Sequence, residues 1–237
     1  MKGSAAVVLG GYVNGYSIVR ELYESGVSDI WLFDSGRSLA RRSKKLSGVA
    51  KTDGTAGDLL DKLKALHERY GFIVVFPTND IQLEQLRDIR EEVKDFCFLP
   101  LDHERLGEQL DKYHQYQECE RLGVPYPATL SIDSVDDLAR LSVIPYPVLI
   151  KPKTREDLRR PVFRSLLIKD DSCLQEKMDL LCEHLRCGVT FLASECIPGD
   201  DTNIYAYTAY RSSSAGILNE WIGKKLTQYP NQFGIFS

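Results

Sequence analysis

The start of the chain carries the pattern that most restricts its fold: a short apolar run, a glycine-rich turn, a helix and a second apolar run. The first run is Ala5–Leu9, Gly10 and Gly11 form the turn, and the second run is Ile30–Asp34. Strand, turn, helix and strand in this order make a right-handed βαβ unit with its two strands in parallel. The sequence therefore predicts an open α/β sheet in the N-terminal part of the chain.

The glycine-rich turn is compatible with two interpretations. Free N–H groups at a helix N-terminus favour an anion, and Asp34 ends the second strand, where a dinucleotide fold places its ribose-binding acid. The spacing of Gly10, Gly11 and Gly15 is GGxxxG rather than GxGxxG, however. A nicotinamide-binding protein is thus one hypothesis, and glycines that serve only the turn are the simpler interpretation.

Another strand of the predicted sheet is followed by polar residues. The apolar run FIVVF stops at Pro77, and Thr78, Asn79 and Asp80 come next. Open parallel sheets bind ligands beyond the carboxyl ends of their strands, so these three residues are candidates for substrate binding. Thr78 or Asn79 can equally cap the following helix, and the sequence favours neither interpretation.

Composition limits the kinds of partner. The 237 residues, of which 43% are hydrophobic, suffice for two domains, and six cysteines without a CxxC pair indicate reduced thiols. The formal net charge of −4 argues against nucleic acid or an anionic membrane as a non-specific partner. No apolar run approaches ~20 residues and no signal peptide precedes the first strand, so we expect a soluble, cytoplasmic protein.

From His103 the sequence predicts a helix, because Leu106, Leu110, Tyr113 and Tyr116 fall at helical spacing and Gly123 ends the pattern. The segment SIDSVDDLARL predicts a second, capped helix.

Four segments in this part of the chain contain the candidate binding residues. Lys151 follows an apolar strand, and its charge needs a specific partner because it cannot stay unpaired in a core. The apolar run from Phe191 to Ile197 ends at a Pro-Gly turn, and two acids follow it. The four segments are DKYHQYQECERLGVPYPAT, YPVLIKPK, SECIPGDDTNIYAY and GKKLTQYPNQFG.

In this order and spacing the four segments resemble the ATP-grasp superfamily, in particular its D-aspartate ligase-like and carbamoyl-phosphate synthase-like branch. The resemblance implies an α/β chain, with a Rossmann-like pre-ATP-grasp domain over residues 1–102 and a partial α+β ATP-grasp domain over residues 103–237. It also implies the family's reaction, in which ATP phosphorylates a carboxylate and an amine or a thiol then displaces the phosphate. The expected ligands are ATP, Mg²⁺ and small carboxylate and amine substrates.

The resemblance further implies roles for individual residues. Lys112 and Lys151 match the two lysines that contact the phosphates of ATP. The backbone C=O of Glu195 and the backbone N–H of Ile197 match the strand edge that holds the adenine. Asp201 matches the acid that binds the ribose.

One further lysine is implied as a catalytic residue. Lys225 matches a lysine that faces the terminal phosphate or the acyl phosphate, and its neighbour Lys224 is the less favoured partner. Similarly, Asp200 lies next to Asp201 and is its nearest substitute. The resemblance therefore predicts a nucleotide cleft that depends on positioning and on cations, without a side-chain nucleophile.

Three departures from the family pattern bear on activity. The segment between Lys151 and Asp170 has no glycine where relatives have a glycine-rich loop over the phosphates. Its basic residues are Arg155, Arg159, Arg160 and Arg164. Thr227 stands where relatives have an arginine. The chain ends at Ser237, before the strands that carry the family's Mg²⁺-binding acids.

We therefore expect an N-terminal fragment of a ligase that is inactive by itself and whose Mg²⁺ ligands lie outside this chain. A non-catalytic nucleotide-binding or assembly module is the alternative. The third hypothesis is the nicotinamide-binding protein, which requires the rest of the chain to be a substrate domain.

Overall fold

The computed structural model describes residues 3–100, 104–154, 157, 160–212, 214, 216–226, 228–229 and 235–236. The chain forms two compact units, Met1–Gln115 and Tyr116–Ser237. The predicted domain boundary between residues 102 and 103 lies outside the described residues and stays a prediction.

The first unit is built on a parallel sheet of five strands in the order β3-β2-β1-β4-β5. The strands are β1 (Ser4–Leu9), β2 (Ile30–Asp34), β3 (Gly48–Lys51), β4 (Phe72–Phe76) and β5 (Cys97–Phe98). The helices are α1 (Val13–Glu24), α2 (Ala56–Arg69), α3 (Asp80–Asp88), α4 (Arg90–Val93), α5 (Leu106–Leu110) and the start of α6 (Lys112–Leu122). The predicted βαβ start and the open α/β sheet are confirmed.

Strand β1 lies in the middle of this sheet and is covered on both faces. Val7 and Val8, which point to opposite faces, are both fully buried. Parallel strands with two covered faces have continuous apolar sequences, which is why the sequence pattern predicts β1. Helix α2 packs on one face through Leu59, Leu63 and Leu66.

The sequence pattern does not predict β3. This strand has four residues that alternate between half-buried and exposed, so it gives no apolar run. Its first residue, Gly48, packs under Trp31, because a Cβ at Gly48 would lie 2.5 Å from the Trp31 ring. A short edge strand beside a large aromatic side chain leaves little periodic signal.

One helix prediction is wrong. The leucine and tyrosine spacing predicts a continuous helix up to Gly123, but the structure has α5 and α6 with a break at Asp111, whose ψ of 111° is extended. The Asp111 carboxylate accepts hydrogen bonds from the N–H groups of Tyr113 (2.8 Å) and His114 (3.3 Å). This local side-chain bond competes with the helical pattern and starts a new helix. Lys112 is therefore the first residue of α6 and is exposed.

The second unit contains an antiparallel sheet of four strands in the order β6-β9-β7-β8. Its strands are β6 (Thr129–Ile132), β7 (Val148–Pro152), β8 (Leu166–Ile168) and β9 (Phe191–Glu195). Strand pairs β10 (Tyr205–Arg211) with β11 (Ile217–Lys224) and β12 (Gln228–Tyr229) with β13 (Ile235–Phe236) follow. The predicted α+β character of this part is confirmed.

Two helical elements cover this sheet. Helix α7 (Asp171–Arg186) buries three leucines, and a 3-10 helix (Val135–Val143) replaces the α-helix that the sequence predicts after β6. Ser134 and Asp137 form a capping box at its start, and the Asp137 carboxylate accepts from the N–H of Ser134 at 3.0 Å.

Two further expectations concern the chain as a whole. All six cysteines are free thiols, as the absence of a CxxC pair indicates. In the part of the chain that the structure describes, none of the helices combines the length and the apolar character that a bilayer crossing requires.

Candidate functional site

The end of β9 is the centre of the candidate site, and we call Glu195, Cys196 and Ile197 the β9 edge. Glu195 donates its N–H to the carbonyl of Ala128 (2.8 Å), on the side of β6. Cys196 donates its N–H to the carbonyl of Pro147 (2.9 Å), on the side of β7. Because successive residues of a strand face opposite neighbours, the C=O of Glu195 and the N–H of Ile197 both face the Ala128 side.

The side chain of Glu195 completes this arrangement. In an antiparallel pair of this kind, Ala128 would return its N–H to the carbonyl of Glu195. Instead, that N–H donates to Oε2 of the Glu195 carboxylate at 3.1 Å. Within the described ranges, neither the carbonyl of Glu195 nor the N–H of Ile197 has a hydrogen-bond partner. The sequence reasoning assigned the backbone of Glu195 and missed this use of its side chain.

Lys151 lies on β7, the neighbour of β9. It is exposed, whereas Ile150 and Pro152 on either side of it are buried. Its partner across the strands is Leu192 of β9. The strand therefore directs the Lys151 side chain to the open face of the sheet, as the sequence predicts for a charge that leaves the core.

The turn after the β9 edge is organised by Asp200. Its carboxylate accepts from the N–H (2.9 Å) and the hydroxyl (2.7 Å) of Thr202 and begins a 3-10 turn, Asp201–Asn203. The hydrogen bonds from Thr202 and the nearby charge of Lys224 lower the pKa of Asp200 below its usual value. Asp200 thus has a local capping function, and the side chain of Asp201 lies outside the described residues.

Lys224 and Lys225 differ in their surroundings. The Lys224 Nζ lies 5.8 Å above the ring of Tyr205, its partner across the strands β10 and β11, and the side chain is exposed. Lys225 is 4% exposed, and its N–H donates to the carbonyl of Ile204 at 2.8 Å. The structure therefore links Lys225 to the residue that follows the Asp201–Asn203 turn and places its side chain in the interior.

The segment between β7 and β8 is anchored by a buried acid. Asp157 is 4% exposed and accepts four hydrogen bonds, two from Thr154 and two from Thr190. Burial opposes ionisation of this carboxyl, but the hydrogen bonds outweigh burial and hold the pKa of Asp157 below its usual range.

The expectations for the arginines of this segment and for Thr227 stay predictions. Arg164 is exposed, and Arg160 is also exposed while donating to the carbonyl of Cys187. Arg155, Arg159 and Thr227 lie outside the described residues.

The first unit places Asp34 and the glycines in structural roles. The Asp34 carboxylate accepts from the Ser38 hydroxyl (2.8 Å), lies 3.8 Å from Arg41 and has a side chain only 10% exposed. A Cβ at Gly15 would lie 1.9 Å from the carbonyl of Gly10, so the glycine allows α1 to pack against the turn. These contacts favour the simpler interpretation of the glycines over a nicotinamide site.

The residues after β4 hold the start of α3 and line a cavity. Asn79 caps α3 by accepting from the N–H of Gln82 (3.0 Å), and the Thr78 hydroxyl donates to the carbonyl of Leu9 (2.8 Å). Thr78, Asn79 and Asp80 also line a cavity of about 350 Å³ at the carboxyl end of β4. The capping role of Asn79 is confirmed, and substrate binding by these residues stays a prediction.

The predicted site residues fall into both units. Glu195, Ile197, the Asp201 turn and Lys225 follow one another in the second unit, and Lys151 lies on the strand beside β9. Lys112 belongs to the first unit as the chain divides. Among the described residues, no three His, Cys, Asp or Glu side chains lie close enough together to hold a metal ion.

Comparison with known proteins gives similarity over nearly the whole chain. The D-aspartate ligase of Enterococcus faecium (strain Aus0004) is 21% identical over 244 residues, which cover 97% of this chain and 58% of that protein. No protein-family model matches the chain.

Solved structures of ligases and synthetases share the fold of this chain. N5-carboxyaminoimidazole synthetase from Staphylococcus aureus, complexed with ADP, has a TM-score of 0.68 at 14% identity and covers 97% of this chain and 56% of that one. The L-amino acid ligase from Bacillus licheniformis has a TM-score of 0.66 at 14% identity, with 98% and 53% covered. The chain spans little more than half the length of these proteins. The chain has the fold of ATP-grasp ligases over almost all of its residues.

Proposed function

We propose that the second unit binds ATP along the β9 edge, as part of an ATP-dependent carboxylate–amine or carboxylate–thiol ligase that works through an acyl phosphate. The observation that carries this proposal is the pair of backbone groups at the end of β9. The C=O of Glu195 and the N–H of Ile197 face one side and are both available. Adenine presents an amino donor at C6 and a ring acceptor beside it, which match this acceptor and donor.

The remaining site residues have roles around the phosphates and the ribose. We assign Lys112 and Lys151 to the phosphates of ATP, because two cations there offset the charge of a triphosphate. Asp201 is assigned to the ribose. Lys225 is assigned to the transferred phosphate, and its burial supports this choice over the exposed Lys224.

The proposed reaction has two displacement steps. A carboxylate oxygen attacks the γ-phosphorus, the bond to the ADP oxygen breaks, and an acyl phosphate forms. An amine or thiol then attacks the acyl carbon, and the C–O bond breaks to release phosphate. The protein supplies positioning and electrostatic stabilisation in both steps.

Magnesium belongs to this proposal because it neutralises phosphate charge when bound. The described ranges contain no group of three His, Cys, Asp or Glu side chains that could hold a metal ion, so none of these residues is assigned to it. The similarity to a D-aspartate ligase and the ATP-grasp fold support the reaction class, and the carboxylate and amine are left to experiment.

Titration of ATP, ADP and NADH into the chain by calorimetry tests the proposal. We expect ATP and ADP to bind and NADH not to bind. Binding of NADH without ATP would overturn the proposal and revive the nicotinamide hypothesis.

A lysine substitution tests the site itself. Lys151→Ala removes a charge-assisted contact to phosphate, so we expect ATP to bind roughly 10- to 100-fold more weakly. Lys153→Ala is the matched control, because Lys153 lies two residues away and its Nζ contacts Asp133 at 2.9 Å. Equal affinities of the two variants would refute the assignment of Lys151.

A further inference from the structure

We infer that the carboxylate of Glu195 is a positioning group that keeps the β9 edge open for an adenine and so sets the choice of base. This inference rests on the proposed ATP site. The carboxylate takes the N–H of Ala128 (3.1 Å), which the antiparallel pairing would otherwise direct to the carbonyl of Glu195. The carbonyl thereby stays free while the N–H of Glu195 keeps its bond to Ala128 (2.8 Å).

The residue before β7 also leaves the β9 edge open. On the other side of β9, Cys196 donates to the carbonyl of Pro147, and a proline cannot return that bond. The ladder thus stops at Cys196 on the β7 side, and on the Ala128 side the carboxylate of Glu195 holds the N–H that would otherwise bond the carbonyl of Glu195.

The open groups distinguish one base edge from another. An acceptor at Glu195 and a donor at Ile197 fit a base with an amino group at C6 and an unprotonated N1, which is adenine. Guanine and hypoxanthine carry a carbonyl at C6 and a proton on N1, so acceptor would meet acceptor and donor would meet donor. By holding the N–H of Ala128, the Glu195 side chain therefore favours ATP over ITP and GTP.

Substitution of Glu195 tests this inference. In Glu195→Ala the N–H of Ala128 is free to bond the carbonyl of residue 195, so we expect ATP to bind about tenfold more weakly. Glu195→Gln keeps an acceptor oxygen and is expected to retain the affinity of the unchanged chain. The preference for ATP over ITP shrinks in the alanine variant and persists in the glutamine variant.

Tripolyphosphate separates positioning from a general structural effect. It contacts only the phosphate site, so its affinity is expected to be the same in the unchanged chain and in Glu195→Ala. An equal loss for tripolyphosphate and ATP, or an unchanged ratio of ATP to ITP, would overturn the inference. Failure of the unchanged chain to bind ATP would overturn the proposed function as well, so the two failures are distinguishable.

A second variant keeps the test decisive if Glu195→Ala unfolds. Ala128→Pro removes the N–H that the carboxylate holds, so the carbonyl of Glu195 stays free without help from the side chain. This variant is expected to keep the preference for ATP over ITP, and so is its combination with Glu195→Ala. Loss of that preference in Ala128→Pro, with tripolyphosphate binding retained, would contradict the proposed role of the bond.

Discussion

The buried carboxylate of Asp157 allows a quantitative test of how the segment between β7 and β8 is held. It accepts from Thr154 through the N–H (3.1 Å) and the hydroxyl (2.6 Å), and from Thr190 through the N–H (3.2 Å) and the hydroxyl (2.8 Å). Because Thr190 immediately precedes β9, the network ties this segment to the strand that ends at the candidate site.

The expected loss of stability on removing this carboxylate follows from these four hydrogen bonds. A hydrogen bond to a charged group contributes about 1.5–3 kcal/mol, but bonds that share one anion do not add. Asp157→Ala also leaves two backbone N–H groups without their acceptor. We expect it to lower the free energy of unfolding by about 3–5 kcal/mol, and Asp157→Asn, which keeps one acceptor oxygen, by about half as much.

Urea unfolding followed by circular dichroism measures this difference. Asp179→Ala, on the exposed side of α7, is the matched control and is expected to change the free energy of unfolding by less than about 0.5 kcal/mol. A loss below about 1 kcal/mol in Asp157→Ala would show that the network contributes little.

The pH dependence of stability gives a second measurement on the same carboxyl. The pKa of Asp157 is lower in the folded chain than its ordinary value. Its contribution to stability is therefore complete above the unfolded pKa of about 4 and is lost as the pH falls through the folded pKa. The stability difference between the unchanged chain and Asp157→Asn should shrink at pH values below about 4, and a constant difference would contradict the ionised network.

Two further predictions concern close packing and thiol reactivity. Gly15→Ala should destabilise the first unit by about 3 kcal/mol or more, because its Cβ would lie 1.9 Å from the carbonyl of Gly10, whereas Gly57→Ala in α2 meets no atom within 4 Å and should be neutral or stabilising. Burial raises the pKa of Cys97 to about 12, so iodoacetamide at pH 8 should modify the exposed Cys187 and spare Cys97 in the native chain. Peptide mass mapping checks the second prediction, and early modification of Cys97 would contradict its burial.

The parts of the fold that the sequence predicts are those with strong apolar periodicity. Strands β1 and β9 are mostly buried, and β4 buries Ile73 and Val75 on either side of a half-buried residue, so the sequences of all three strands are apolar. The break at Asp111 depends on a local side-chain bond that competes with a helical pattern, so periodicity cannot predict it. Strand β3 is short and half-exposed and gives no pattern at all.

In the candidate site, too, the sequence predicts some features and not others. The sequence gives the positions of Lys151, Glu195 and Asp200, because charged residues at strand ends and turns stand out against apolar runs. It does not give their partners, since the bond between Glu195 and Ala128 joins residues far apart in the chain. The capping bond of Asp200 to Thr202 is local, and a recognised Asx motif would have predicted it.

The β9 edge explains why a nucleotide site of this kind is only loosely specified by its residues. The groups proposed to meet the adenine are a backbone carbonyl and a backbone N–H, which every residue type except proline supplies. What a side chain contributes is the removal of a competing donor, as Glu195 does with the N–H of Ala128. Any residue that accepts this bond would keep the edge open, so acceptor capacity at position 195, rather than negative charge, is the property on which binding of ATP should depend.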